Sequence, residues 1–321
     1  MSESLNLLNL PKGEDLLPPE NIGRYFEIIN PEGIKTVVVD IGQPRISSTA
    51  RAALAASLGY FDEVHFQPWK YVQRYALPLE IQGLNPQVFI NKQGKEEAKI
   101  LLKETPGGPN DIRENFDPVA ILLERGLKPD QIRVMLGIRE PFAQFVSWIK
   151  FDKSRQPTIF LEGQRYILYL LDNYYNKNIL CVPFVFELFY PNPQEYLNYL
   201  YQQLGLDIVF PQGLNFVNNP PVIWHEADPQ LDQISGLNAD VGSSYFDKVV
   251  RPVLNKGRYE VPQLKIPDRE LILKYQPLME AAIIYIKKAE DFYNQSLRNG
   301  FSSNKDFEVF LNDYQNMLKI Q

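Results

Sequence analysis

The sequence predicts an α/β protein: a central, mainly parallel sheet flanked by helices, with additional helices toward the C-terminal end. Three stretches carry that prediction. They are the β-branched run IKTVVVDI at Ile34–Ile41, the apolar run IRVMLGI at Ile132–Ile138 that passes into a Pro-started helix, and ILCVPFVF at 179–186. Strands apolar on both faces belong to parallel sheets covered on both sides, and the segments between them include stretches of helical period.

Taken in order, the Pro-rich residues 11–31 form a long surface loop leading to the first strand, which Gly42 ends. Gln43, Pro44, Arg45, Ile46, Ser47, Ser48 and Thr49 follow, then an Ala-rich stretch, 50–58, of high helix propensity. Ser48 or Thr49 can cap that helix, so its free N–H groups and positive dipole end face the loop, where Arg45 and three hydroxyls add donors. The same residues suit a phosphate cradle or an ordinary capped turn. The Walker A pattern GxxxxGK[ST] is absent, so an ATPase or nucleotide kinase has no direct support.

Residues 62–69 read DEVHFQPW; in a strand, Glu63 and His65 share a face. A carboxylate there suits a general base, and an exposed Glu is also the commonest state of that residue. His65 is one of two histidines; the other, His225, follows Trp224 in a Pro-rich loop and suits a surface or packing role. A third strand at 98–103 is followed by Glu104, Thr105, Pro106 and two glycines. After Ile138, Arg139 supplies a planar, permanently charged fork suited to phosphate, Pro141 takes the first helical position, and Ser147 lies on the helix's second turn. The helix predicted at 158–175 has a core stripe of Phe160, Ile167, Leu170, Leu171 and Tyr174. Glu187 opens a segment ending in a helix over 193–204 and a turn at Gly205. A second Pro-rich loop, 211–229, is a candidate substrate lid, and NKGRY at 255–259 is a basic turn. Asp268 caps a long amphipathic run to about 297, Gly300 breaks it, and a last helix follows, packed on the sheet or serving a partner.

These patches together resemble the PAPS-dependent sulfotransferases. PRIS followed by Ser48 and Thr49 is similar to their first loop, PKSGTT or PRSGST, with Ser47 where a Gly is usual. Arg139, Glu140, Pro141 and Ser147 match their RDP motif with a Ser eight residues after the Arg, and DEVHFQPW resembles the EVHFFDW segment of the heparan-sulfate type branch. The resemblance implies a single P-loop-like three-layer domain that uses 3′-phosphoadenosine 5′-phosphosulfate (PAPS) and releases adenosine 3′,5′-bisphosphate. It assigns the 5′-phosphosulfate to residues 44–49, the 3′-phosphate to Arg139 and Ser147, and closure over that phosphate to Lys256, Gly257 and Arg258. Glu63 becomes the base, with His65 beside it in the acceptor site. The family's KTP lysine aligns ungapped with Glu104, which makes Glu104 an alternative base; Lys103 takes the cationic role only with a one-residue shift, and Arg45 is otherwise the cation that offsets charge on the leaving phosphate. Glu187 is implied to be structural.

Composition bounds the rest. With 321 residues, 45% of them hydrophobic, the chain can build one large domain over 1–321, with 1–31 as an N-terminal extension and 268–321 as a C-terminal helical segment. A single Cys excludes an internal disulfide framework, no Cys/His ligand cluster suggests a metal, and the absence of an apolar leader or membrane-length run predicts a cytoplasmic protein. A net charge of −6 disfavours acidic polysaccharides and gives no footprint for nucleic acid or membrane. A small neutral or cationic acceptor follows, hydroxyl or amine, of the kind met in natural-product metabolism. Phe66, Trp69, Tyr71, Trp148 and Phe151 are candidate pocket walls. The oligomeric state is left open. The alternatives are a nucleotide-dependent kinase with a degenerate phosphate loop and a catalytically inactive sulfotransferase-like scaffold.

Overall fold

The structure is a computed structural model that describes residues 33–43, 51–52, 55, 60–66, 69, 98–107, 116–150, 156–189, 193–209 and 264–320, with only the backbone of 63, 64, 66, 193 and 320. Five strands, β1 (Ile34–Ile41), β2 (Glu63–Phe66), β3 (Ala98–Glu104), β4 (Ile132–Ile138) and β5 (Leu180–Val185), form one sheet in the order β2-β3-β1-β4-β5. Every neighbouring pair is parallel. The predicted fold class is therefore the observed one.

β1 lies at the centre, with Val37–Ile41 paired to Ile132–Leu136 on one side and to Ile100–Glu104 on the other. Val37, Val38, Val39 and Ile41 have no exposed surface. Each such side chain contributes about 1.5–3 kcal/mol by leaving water. Because both faces of β1 are apolar, hydrophobic alternation alone does not specify its register. In the observed register Asp40 lies beside Lys103 and Ile41 beside Glu104. β3 accordingly runs one residue beyond the predicted 98–103.

The helices are α1 (Pro118–Glu124), α2 (Pro141–Ile149), α3 (Pro157–Asn176), α4 (Phe186–Phe189), α5 (Pro193–Gln203), α6 (Arg269–Lys274), α7 (Leu278–Arg298) and α8 (Lys305–Ile320). Within the Ala-rich stretch, Arg51, Ala52 and Ala55 are helical. The predicted stripe of α3 is buried, as its spacing required. Two boundaries differ from expectation for identifiable reasons. Asn178 adopts φ 56° at the end of α3 and lets the Ile179 N–H close on the Tyr174 carbonyl at 3.0 Å, so β5 starts at Leu180, and Phe186 already belongs to α4. The long C-terminal run is broken at Pro277, which has no N–H for a continuing helix, and so becomes α6 and α7. α1 was not anticipated, although Asp117 followed by Pro118 is a start signal; the Asp117 carboxylate accepts from Val119 N and Ala120 N, both at 3.0 Å.

α7 packs on α2, α3 and β5, and α8 packs on α7. The C-terminal helices thus close against the sheet rather than stand apart from it. No helix among the described residues is long and apolar enough to cross a membrane.

Candidate functional site

Parallel strands bring all their carboxyl ends to one edge. The chain leaves β1 toward β2 on one side and leaves β4 toward β5 on the other, which makes the β1–β4 boundary a topological switch point, where open α/β sheets bind ligands. Buried polar side chains collect at this edge: Asp40, Gln43, Lys103, Glu104, Thr105, Glu140 and Glu187 are each less than 5% exposed.

At the β4 corner, Arg139 is half-buried, and its guanidinium lies 3.9 Å from the centre of the Phe186 ring. Glu140 is the N-cap of α2: its carboxylate accepts from Phe142 N at 3.0 Å and Ala143 N at 2.6 Å. An acidic side chain of the protein thus already holds the place an anion would take at this helix start. Any phosphate at this corner must be gripped by side chains. Arg139 and Ser147 both keep part of their surface exposed.

Glu140 and Glu187 form a connected buried pair. The Glu140 N–H donates to Glu187 Oε1 at 3.0 Å, Tyr285 OH of α7 donates to Glu187 Oε2 at 2.5 Å, and Tyr314 OH of α8 donates to Glu140 Oε1 at 2.6 Å. Burial pushes the Glu140 carboxyl up to about 7 against the pull of Tyr314 and the two α2 amides. Burial also raises Glu187, while Tyr285, the Glu140 amide and Arg139 pull it down. Glu187 therefore acts as a tie between sheet and C-terminal helices. Neither tyrosine was singled out from the sequence, since an aromatic at helical spacing gives no hint that its hydroxyl has a carboxylate partner.

At the β1 corner, Asp40 forms a buried ion pair with Arg51, whose Nε donates to Asp40 Oδ2 at 3.1 Å and whose guanidinium lies 3.7 Å from the Phe184 ring centre. Burial raises the Asp40 carboxyl, and Arg51 and Lys103 lower it. Lys103 is consequently occupied with charge on the Asp40 face of the sheet. Gln43 ends the described part of this corner: its Nε2 donates to the Phe160 carbonyl at 3.2 Å, and its Oε1 accepts from Gln164 Nε2 at 2.7 Å. Gln164 Nε2 also donates to Gln144 Oε1 of α2 at 2.9 Å.

On the β2–β3 side, Glu63 opens β2 opposite Ile100, and His65 pairs with Leu102. Alternation puts positions 63, 65, 102 and 104 on one face and Lys103 on the other, so Lys103 and Glu104 are not companions in one site. Glu104 Oε1 accepts the Trp69 N–H at 3.1 Å. His65 and Trp69 have no exposed surface. Trp69, expected at a pocket wall, instead stacks on Phe116 with ring centres 4.9 Å apart inside the core. Trp148, 6% exposed, packs edge-on against Phe160 at 5.7 Å. The expected residues Pro44, Arg45, Ile46, Ser47, Ser48, Thr49, Phe151, Lys256, Gly257 and Arg258 lie outside the described residues, as do the side chains of Glu63 and Phe66.

No family model matches the sequence, and no curated protein matches it. Among solved structures, the chain is similar to the crystal structure of a mouse sulfotransferase complexed with PAP, at 11% identity over 92% of this chain and 94% of that one, with a TM-score of 0.36. The α/β class stands on the strand order and pairing described above.

Proposed function

We propose that this chain is a PAPS-dependent sulfotransferase acting on a hydroxyl or amine of a small acceptor. The observation that carries it is the adjacency of β1 and β4 at the switch point: Gln43, which leads into Pro44–Arg45, and Arg139 leave neighbouring parallel strands at the same edge. Strands in such a sheet lie about 4.8 Å apart, so the two corners can serve opposite ends of one nucleotide.

PAPS supplies the sulfuryl group. Arg139 and Ser147 hold the 3′-phosphate through side chains, which fits a corner whose helix amides are already taken by Glu140. Arg45, Ser48 and Thr49 hold the 5′-phosphosulfate. Glu63 takes the acceptor proton as the acceptor oxygen or nitrogen bonds to sulfur, and the bond from sulfur to the 5′-phosphate oxygen breaks. Arg45 stabilises that departing oxygen, and adenosine 3′,5′-bisphosphate leaves.

Calorimetric titration with adenosine 3′,5′-bisphosphate tests the proposal. Binding without magnesium is expected, with Arg139→Ala weakening it about ten- to a hundredfold through loss of a charge-assisted contact. Glu63→Ala should keep that affinity and lose turnover. Binding of ATP with magnesium in place of the bisphosphate would make the protein a kinase, and binding of neither would leave an inactive scaffold.

A further inference from the structure

Helix α3 reaches the carboxyl edge of the sheet and touches three separate segments there. Its Phe160 carbonyl accepts from Gln43 at the end of β1, and its Gln164 amide donates both to Gln43 and to Gln144 in the second turn of α2. Between those two residues, Gly163 sits so close to the edge that a Cβ there would lie 1.8 Å from Gln43 Nε2 and 2.3 Å from the carbonyl oxygen of Gly107. Gly107 closes the described segment after β3, which begins with Thr105 directly beyond Glu104.

Gln43, Gln144 and Gln164 are 1%, 0% and 9% exposed. Three buried amides are a poor choice for stability alone, because each must leave water and an apolar trio of similar volume would pack at least as well. Directionality is what amides add. Gln43 is held through both its donor and its acceptor atoms, so its side chain has one orientation, and the strand end that leads into Pro44 is set with it. Gln144 shares a helix face with Ser147, three residues on, and with Glu140, four residues back.

We propose that Gln164, seated by the close approach at Gly163, is a positioning residue that sets the spacing between the β1 corner and the α2 corner, and thereby the grip on both phosphate ends of one adenosine bisphosphate. The inference rests on the donor site proposed above. A ligand held at two ends gains from simultaneous engagement only when the two niches are correctly spaced, and a shift of about 1 Å removes much of that gain. Among the described residues, the Gln164 amide bonds to Gln43 and Gln144 and to no phosphate-gripping side chain. Its loss should leave each niche working and weaken their cooperation.

The test compares adenosine 3′,5′-bisphosphate with adenosine 3′-monophosphate and adenosine 5′-monophosphate, titrated into the full chain and into Gln164→Met and Gln144→Met. Each substitution severs the Gln144–Gln164 bridge from one side, so either variant that folds carries the test. Both monophosphates should keep their affinity within about twofold, while the bisphosphate's advantage over them falls about tenfold. The double variant should lose no more than Gln164→Met alone, since that substitution already removes both hydrogen bonds of the Gln164 amide. Bisphosphate binding that weakens by the same factor as the monophosphates, or an unchanged advantage, overturns the positioning role alone. Absence of bisphosphate binding in the unsubstituted protein overturns the donor site and this inference with it.

Discussion

At the end of β1 the buried carboxylate of Asp40 meets the Arg51 guanidinium, whereas at the end of β4 the carboxylates of Glu140 and Glu187 meet tyrosine hydroxyls and backbone amides. The strands are neighbours, and all three acids are buried. The first arrangement neutralises charge within the core and takes Arg51 out of reach of any ligand. The second leaves the acids compensated by dipoles, with Arg139 alongside and partly exposed. One corner sets charge against charge and the other sets charge against dipoles.

The largest effect should come from breaking the compensated corner. Arg51→Met leaves Asp40 buried beside an apolar side chain with, among the described residues, the Lys103 charge to offset it, and stability should fall by about 3–5 kcal/mol in urea unfolding. Adding Asp40→Leu should recover most of the loss, because it removes the orphaned charge. A loss below about 1 kcal/mol for Arg51→Met would mean that the pair behaves as a solvated one.

The β4 corner should respond to pH with a definite sign. The folded pKa of Glu140 is raised from 4.5 to about 7, so the folded state binds its proton more tightly than the unfolded chain does. That contribution to stability is fully present below pH 4.5 and is lost as pH rises through about 7, with a size on the order of 3 kcal/mol. Glu187 is shifted in the same direction. Glu140→Gln removes one of the two shares, so unfolding midpoints measured at pH 5 and pH 8 should lie closer together than in the parent. An unchanged separation would show that Glu140 does not titrate with folding.

The strand of the β1 corner was legible in sequence. A β-branched run followed by Gly42 and an Ala-rich stretch announces a buried strand and a helix through local propensity, which needs no knowledge of partners. The Arg139–Pro141–Ser147 pattern likewise gives the strand-to-helix turn with Pro141 at its first position. What lay hidden depends on distant pairs. Glu140 and Tyr314 are 174 residues apart and Gln43 and Gln164 are 121 apart, so no window of sequence contains both partners. The burial of Trp69 was hidden for the same reason, since it depends on Phe116 and on Glu104 accepting its N–H. A signal for the cap did exist: an acidic residue directly before a helix-starting Pro, at Glu140 and again at Asp117.

The smallest effect separates the dipoles that hold the β4 carboxylates from the burial that shifts them. Tyr314→Phe deletes the hydroxyl that donates to Glu140 Oε1 and should cost about 1–2 kcal/mol. That hydrogen bond favours the ionised carboxylate, so its loss moves the Glu140 pKa further up. The penalty should therefore be greater at pH 8, where Glu140 is ionised, than at pH 5, where it is protonated. The pH dependence of stability thus steepens in Tyr314→Phe and flattens in Glu140→Gln. Opposite changes in slope from two ends of one hydrogen bond identify Glu140 as the titrating group; equal losses at both pH values for Tyr314→Phe would reduce the tyrosine to packing.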